Sequence, residues 1–279
     1  MKKRFDFWEW MVFKDEPIVW LANFIHAARR CWGIGDWRAR RDGKRKLKDL
    51  RSDGGTLFVA LNGPSIKKQP IERIAGLDCL FVNQGFRLPQ YKAIHPKFHV
   101  FIDKKLVDGT WDIKWLDEIL EMVPDITFIL PTAWSRNSLF KPYIDRGVSI
   151  LWWDAPCQRF IHGVSGFAFQ LAWALGYKKI YVTGYEQTAT PSYILKQASH
   201  FYGSDPDVNS HDVHYIMKDL YLNARHLACA FRSAAYAKKI GVDIVNLTDG
   251  GIVDMFRREK FEDVFPSNGH AKLEERAMK

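Results

Sequence analysis

Between Thr56 and Gln84 the chain reads TLFVALNGPSIKKQPIERIAGLDCLFVNQ, and this stretch constrains the fold more than any other. A short apolar run, Leu57 to Leu61, stops at Asn62-Gly63-Pro64-Ser65. An amphipathic segment follows, and a second apolar run, Cys79 to Val82, stops at Asn83-Gln84. Short apolar runs bounded by turn residues read as buried strands, and the segment between them reads as a crossover. In open parallel sheets ligands bind outside the carboxyl ends of the strands. Asn62, Gly63, Ser65, Asn83 and Gln84 are therefore candidate ligand contacts. The competing reading of Asn-Gly-Pro-Ser is a plain turn with a helix cap; the second amide-ended strand weighs against it.

The alternation continues along the chain. Strands are expected near 56–61, 78–83, 97–102, 126–131, 148–153, 179–183 and 243–247, and helices near 70–75, 111–122, 137–145, 165–176 and 214–239. This pattern predicts an α/β fold, a mainly parallel Rossmann-like sheet with helices on both faces. The third strand ends on Asp103, so Asn62, Asn83 and Asp103 form an expected polar rim suited to the base, ribose and phosphates of a nucleotide. Helix 165–176 follows the small-residue entry His162-Gly163-Val164-Ser165-Gly166. Bare N–H groups at Ser165 and Gly166 suit an anion, although the same residues serve in ordinary capping. The helix Tyr215 to Lys239, with Leu220, Leu227, Phe231 and Ala235 broadly on one face, is expected to be structural packing.

Residues 187–213 are the least regular part and read as a lid loop. The loop and its flank carry Tyr193, His200, Tyr202, Asp205, Asp207, His211 and His214. A histidine here is the expected general acid or base, because neutral imidazole titrates near working pH. A metal site drawn from His200, Asp205, Asp207, His211 and His214, with DxD spacing at Asp205-Pro206-Asp207, stays open as the alternative.

Charge divides the chain. Of the net +9, +6 lies in residues 1–54, which hold 14 Lys/Arg against 8 Asp/Glu. This region, with Trp8, Trp10 and Trp20 and the basic run Arg38 to Arg51, reads as an aromatic, basic extension. A catalytic body at 55–255 and a polar tail at 256–279 follow it. Aromatics among cations suit an anionic membrane surface. Packing on the body with a solvated basic linker is the plainer reading, and nucleic-acid phosphates are the least favoured. Cys31, Cys79, Cys157 and Cys229 are scattered with no CxxC, which fits buried thiols in a reducing compartment. Glu9, Lys14, Asp15 and Glu16 interrupt the first apolar residues, unlike a signal peptide, and no apolar run approaches the roughly 20 residues of a bilayer span. The expected location is cytoplasmic, peripheral at the inner face of the membrane.

Three motifs resemble a known family. Asn62-Gly63-Pro64-Ser65 after one strand, Asn83-Gln84 after the next, and Ala174-Leu175-Gly176-Tyr177-Lys178-Lys179-Ile180-Tyr181 before a Gly-x-acid turn look like the bacterial sialyltransferases of glycosyltransferase family 42. They also look like the related MAF/MptE-like proteins, known from flagellin glycosylation and from a pterin diphosphokinase. The resemblance covers residues 56–250 and implies that Asn62, Ser65 and Asn83 contact CMP, with Asp103 where the family has a third Asn. Gln158-Arg159 matches a Gln-Arg pair ahead of the family's Ser-Gly, here Ser165-Gly166. Two loop tyrosines of the family stabilise the departing phosphate, and Tyr193 and Tyr202 are the candidates for them here. The family's base is the second His of Ser-His-x-x-Gly-His; here Ser199-His200-Phe201-Tyr202-Gly203-Ser204 puts Ser204 there and His200 at the first His. The base is then expected to be His214, or next His211.

The implied activity is an inverting, direct displacement that moves a sugar from a nucleotide donor, CMP-sugar favoured, to a glycan or lipid-linked acceptor, with no cofactor required. A diphosphokinase taking Mg²⁺ through Asp103, Asp205 or Asp207 is the alternative, as is a non-catalytic nucleotide-binding relative. Glycosidase chemistry has no clear carboxylate pair here.

Overall fold

The computed structural model describes residues 37–157, 160–195, 197–203 and 213–267, together with Leu21, Phe24 and Ile25. The strands are β1 (Thr56–Ala60), β2 (Asp78–Val82), β3 (Phe98–Val100), β4 (Thr127–Leu130), β5 (Ile150–Trp152), β6 (Lys179–Thr183), β7 (Asp243–Asn246) and β8 (Arg257–Arg258). They form one sheet of 8 strands in the order β5-β4-β3-β2-β1-β6-β7-β8, and every pairing is parallel. Around it lie helices α1 (Trp37–Asp49), α2 (Tyr91–Ile94), α3 (Trp115–Met122), α4 (Lys141–Asp145), α5 (Val164–Ala174), α6 (Ala189–Ile194), α7 (Val213–Lys239) and α8 (Phe261–Val264).

The expected α/β architecture is thus observed, and the pleat explains why its strands read as uninterrupted apolar runs. Phe58, Ala60, Cys79 and Phe81 point into a core shared with Ile66, Ile71, Leu116 and Phe261. Leu57, Val59, Leu80 and Val82 point the other way, onto Phe169 and Leu171 of α5 and Ala230 and Ala237 of α7. With both faces covered, alternation of polar and apolar residues disappears. Each fully buried large side chain contributes about 1.5–3 kcal/mol by leaving water.

The strand order also places the site. From β1 the chain lays β2 to β5 outward on one side, then returns to set β6 on the other. The segment after β1 (Ile66, Ile71, Ile74) packs on one face of the sheet, whereas α7, after β6, packs on the opposite face. A crevice opens where the two connections part, at the carboxyl ends of β1 and β6.

Several expectations change. The helix expected at 70–75 is a 3-10 turn, Ile71–Ile74, preceded by another at Pro64–Lys68. The basic run is not a linker: α1 lies along β5, with Leu47 and the following Leu50 packed into the second core. Gly43 makes that approach, since a Cβ there would lie 2.2 Å from the Trp152 carbonyl oxygen. The tail expected from residue 256 is structural well into its length. Arg257–Arg258 pair with β7, and Phe261, Val264 and Phe265 are buried. Helix α6 lies within the expected irregular loop. On α7, Leu220 and Ala235 are exposed, while Asn223, Arg232 and Ser233 are buried, so the inward face is partly polar. Trp8, Trp10 and Trp20 lie outside the described residues. No described helix is long and apolar enough to cross a membrane.

Candidate functional site: a polar crevice at the switch point

At the carboxyl ends of β1, β2, β3 and β6 lies a crevice of about 310 Å³. Asn62 and Gly63, Asn83, and Asp103 follow β1, β2 and β3; Gly184 to Gln187 follow β6; Val164 and Ser165 open α5. Asp219, Asn223 and His226 of α7 form the far wall, with His200 and Tyr202 at the edge. This size falls at the lower end of small-ligand sites.

The two parting connections are bonded together at their roots. Leu61 N–H donates to Thr183 O at 3.0 Å, and Gly63 N–H to Gly184 O at 3.0 Å. Gly184 has φ +67°, and a Cβ on it would lie 2.3 Å from Leu61 O. Both the left-handed backbone and the close approach require glycine there. Glu186 is buried; its Oε1 accepts Ser65 N–H at 2.7 Å, while Oε2 has no partner among the described residues.

The rim asparagines sit differently from one another. Asn62 Nδ2 donates to Val82 O at 3.2 Å, leaving its buried Oδ1 without a partner among the described residues. Asn83 takes φ 48°, a left-handed conformation that asparagine tolerates better than most side chains, and its Oδ1 is also buried and unpartnered. Its carbonyl oxygen lies 2.8 Å from His99 Nε2, and His99 Nδ1 lies 2.8 Å from Tyr91 Oη. A carbonyl only accepts, so Nε2 carries the proton and Nδ1 accepts the Tyr91 hydroxyl. Burial pushes the His99 pKa down to about 3. The neutral ring, packed among Phe86, Phe101 and Phe128, thus holds the Asn83 turn. Asp103 caps the 3-10 turn Lys104–Leu106 through Lys105 N–H, 3.1 Å from its Oδ1.

The far wall is a polar clasp. Gln187, at φ 56°, donates through Nε2 to Asn223 Oδ1 at 2.6 Å, and Thr190 Oγ1 donates to Asp219 Oδ2. These bonds fix α6 on α7. Burial, then the nearby His162, lowers the His226 pKa to about 4; the two rings are 4.3 Å apart. On the edge, His200 and Tyr202 stack at 5.0 Å, and Phe201 N–H donates to Asn62 O at 3.0 Å, tying this segment to the rim. Ser165 Oγ donates to Tyr185 Oη at 3.2 Å.

Of the residues singled out from sequence, Asn62, Gly63, Asn83, Asp103, Ser165, His200 and Tyr202 come together in this crevice. Ser65 and Gln84 are buried beside it rather than on its wall. Gly166 lies against a backbone turn: a Cβ there would be 1.9 Å from Phe160 O. Arg159, Asp205, Asp207 and His211 lie outside the described residues, and so do the side chains of Tyr193 and His214, whose backbones lie in α6 and α7. No three His, Cys, Asp or Glu side chains are grouped for a metal among the described residues.

Glu186, Asp219, Asn223, His226 and His99 were not singled out. The first closes the Gly-x-acid turn. Asp219, Asn223 and His226 recur at helical spacing, a polar stripe on an amphipathic helix. His99 left no signal within an apolar strand.

No protein-family model matches the chain, and neither does any curated protein. Among solved structures it is similar to the MAf glycosyltransferase from Magnetospirillum magneticum AMB-1, with TM-score 0.48 and 14% identity over 82% of this chain. This chain spans 37% of that protein's length. It is also similar to the sialyltransferase CstII from Campylobacter jejuni, solved in complex with the substrate analogue CMP-3FNeuAc. That match has TM-score 0.42 and 16% identity over 74% of this chain and 85% of the other. At these identities and TM-scores neither similarity assigns a donor, an acceptor or a reaction.

Proposed function

We propose that the chain is a sialyltransferase-like glycosyltransferase. It binds a CMP-sugar in the crevice and passes the sugar, by inverting displacement, to a glycan or lipid-linked acceptor. The observation that carries this reading is the pair of buried rim oxygens, Asn62 Oδ1 and Asn83 Oδ1, neither with a donor among the described residues. Leaving such an oxygen unsatisfied costs about 1–3 kcal/mol. The amino and hydroxyl groups of a nucleoside supply the donors, as the resemblance to the family's strand-end asparagines implies.

Charge narrows the donor. Asp103, Glu186 and Asp219 line the crevice, and no Lys or Arg is among the described lining residues. A CMP-sugar brings one phosphodiester charge, which Ser165 and the amino end of α5 can receive. A nucleoside diphosphate puts more negative charge at the phosphate position itself, against the same carboxylates, and calls for a divalent cation. His226 is held neutral with low basicity, which makes it a poor proton acceptor at neutral pH. The base is assigned to His214, and next to His211, with His200 at the first His of the family's string, and leaving-group stabilisation to Tyr193 and Tyr202. Arg38, Arg41, Arg45 and Lys48 of α1 are exposed beside a half-exposed Trp37, which supports contact with an anionic membrane carrying the acceptor.

Asp103, where the family has Asn, favours a second reading: a Mg²⁺-dependent diphosphokinase on the same scaffold. A thermal-shift panel of CMP, CDP, UDP, GDP and ATP, with and without Mg²⁺, decides between the two, since a ligand that binds only the native state raises its melting temperature. Stabilisation by CMP without metal supports the transferase. Stabilisation by Mg–ATP alone overturns it.

A further inference from the structure

A second cavity, of about 410 Å³, lies between α1 and the carboxyl ends of β4 and β5, and shares no wall residue with the crevice. Leu47, Trp153 and Ala174, all of the second core, form its apolar side, with the Trp152 backbone against Gly43; Arg40 and Lys44, one turn apart on α1, and Asp154 form its charged side. The Arg40 side chain is only 23% exposed, yet its Nε is buried and unpartnered among the described residues. Its ion-pair contact, Asp154 Oδ2, is 3.8 Å from Nη2, beyond hydrogen-bond range. The other Asp154 oxygen is committed to Thr132 N–H at 3.1 Å.

A guanidinium presents several donors in one plane, and withdrawing even one, here Nε, from water without an acceptor is unfavourable. A position needed only to fill space beside Trp153 and Leu47 would be better served by an apolar side chain. Arg40 and Lys44 against Asp154 also leave one positive charge in the cavity. We propose that this cavity binds a small oxyanion carried on an apolar ring. A carboxylate or phosphate monoester accepts the Arg40 fork, Lys44 adds charge at the mouth, and the ring lies against Trp153 and Leu47. This site stands independently of the reading of the crevice.

The test is thermal shift and calorimetric titration of the full chain with benzoate, phenyl phosphate and neutral benzyl alcohol. At saturation at least one of the two anions is expected to raise the melting temperature by more than about 2 °C, and benzyl alcohol to leave it unchanged; which anion binds more tightly distinguishes a carboxylate from a phosphate site. Arg40→Leu is expected to melt at or above the wild-type temperature and to lose the anion response. Arg40→Lys, which keeps the charge but not the fork, is expected to bind about tenfold more weakly. Both variants retain the wild-type response to CMP, so failure here and failure of the crevice reading are distinguishable. No anion response in the wild type, an equal response in Arg40→Leu, or a melting temperature of Arg40→Leu well below wild type would each overturn the proposal; the last would make Arg40 a structural cation.

Discussion

Replacing His99 with Phe tests whether a neutral, fully buried imidazole holds the Asn83 turn. At pH 7.5 the substitution keeps an aromatic ring among Phe86, Phe101 and Phe128 but strands the Asn83 carbonyl and the Tyr91 hydroxyl. Two buried groups without partners cost about 2–6 kcal/mol together. The pH dependence is more diagnostic. The imidazole titrates at 6.5 when unperturbed and at about 3 in the fold, because burial disfavours its charged form. Between those values the unfolded chain binds a proton that the native state does not. The stability contributed by the neutral ring is therefore complete above pH 6.5 and is lost as pH falls. At pH 5 the loss is about 2 kcal/mol for this ring. His226, with a folded value of about 4, shifts the same way and contributes about as much. Wild-type protein is then expected to lose about 4 kcal/mol from these two groups between pH 7.5 and 5, and His99→Phe about half of that. Urea unfolding at both pH values, with equal slopes as the check on two-state behaviour, measures this. The same pH dependence in both proteins would refute the reasoning. CMP affinity should also fall in the variant, since the Asn83 turn is released.

Other substitutions probe the close approaches and the rim. Gly43→Ala puts a methyl 2.2 Å from Trp152 O and should lower stability by about 1–3 kcal/mol by lifting α1 from β5, read as a melting-temperature drop. In Gly63→Ala the new methyl lies 1.5 Å from Glu186 Oε2 and 2.6 Å from Gly184 O; overpacking should cost about 1–3 kcal/mol and abolish CMP stabilisation. Asn83→Gly keeps the left-handed backbone and should weaken CMP binding with little loss of stability, whereas Asn83→Ala adds roughly 1–2 kcal/mol of strain; titration calorimetry and unfolding separate the two effects. Ala variants of His200, His211 and His214 should keep nucleotide affinity, and one of them should lose turnover. Full activity in all three would remove histidine as the base.

The doubly covered parallel sheet was legible because its causes are local. Leu57–Leu61 and Cys79–Val82 carry their burial in unbroken apolar runs, and the amides that end them mark the carboxyl ends of the strands, the side of an open parallel sheet that suits a ligand. The edge strand β8 could not be read this way: it is two exposed arginines, with no hydrophobic pattern to declare it. Helix α1 was obscured by its charge, since mean composition hides a seat that depends on one glycine and two leucines.

The crevice divides along the same line. Its rim, Asn62, Asn83 and Asp103, follows from where strands stop, which is a property of neighbouring residues. Its electrostatics do not. Glu186 meets Ser65 across 121 residues of sequence, and the His99 ring that fixes Asn83 reads as one more residue in an apolar strand. Asp219, Asn223 and His226 face the rim only because α7 crosses the opposite sheet face after β6. Hydrophobic periodicity records which residues leave water; it does not record which polar groups meet once they have. That was decided by the strand order, which parts the chain at β1 and β6 and brings distant polar groups to one place.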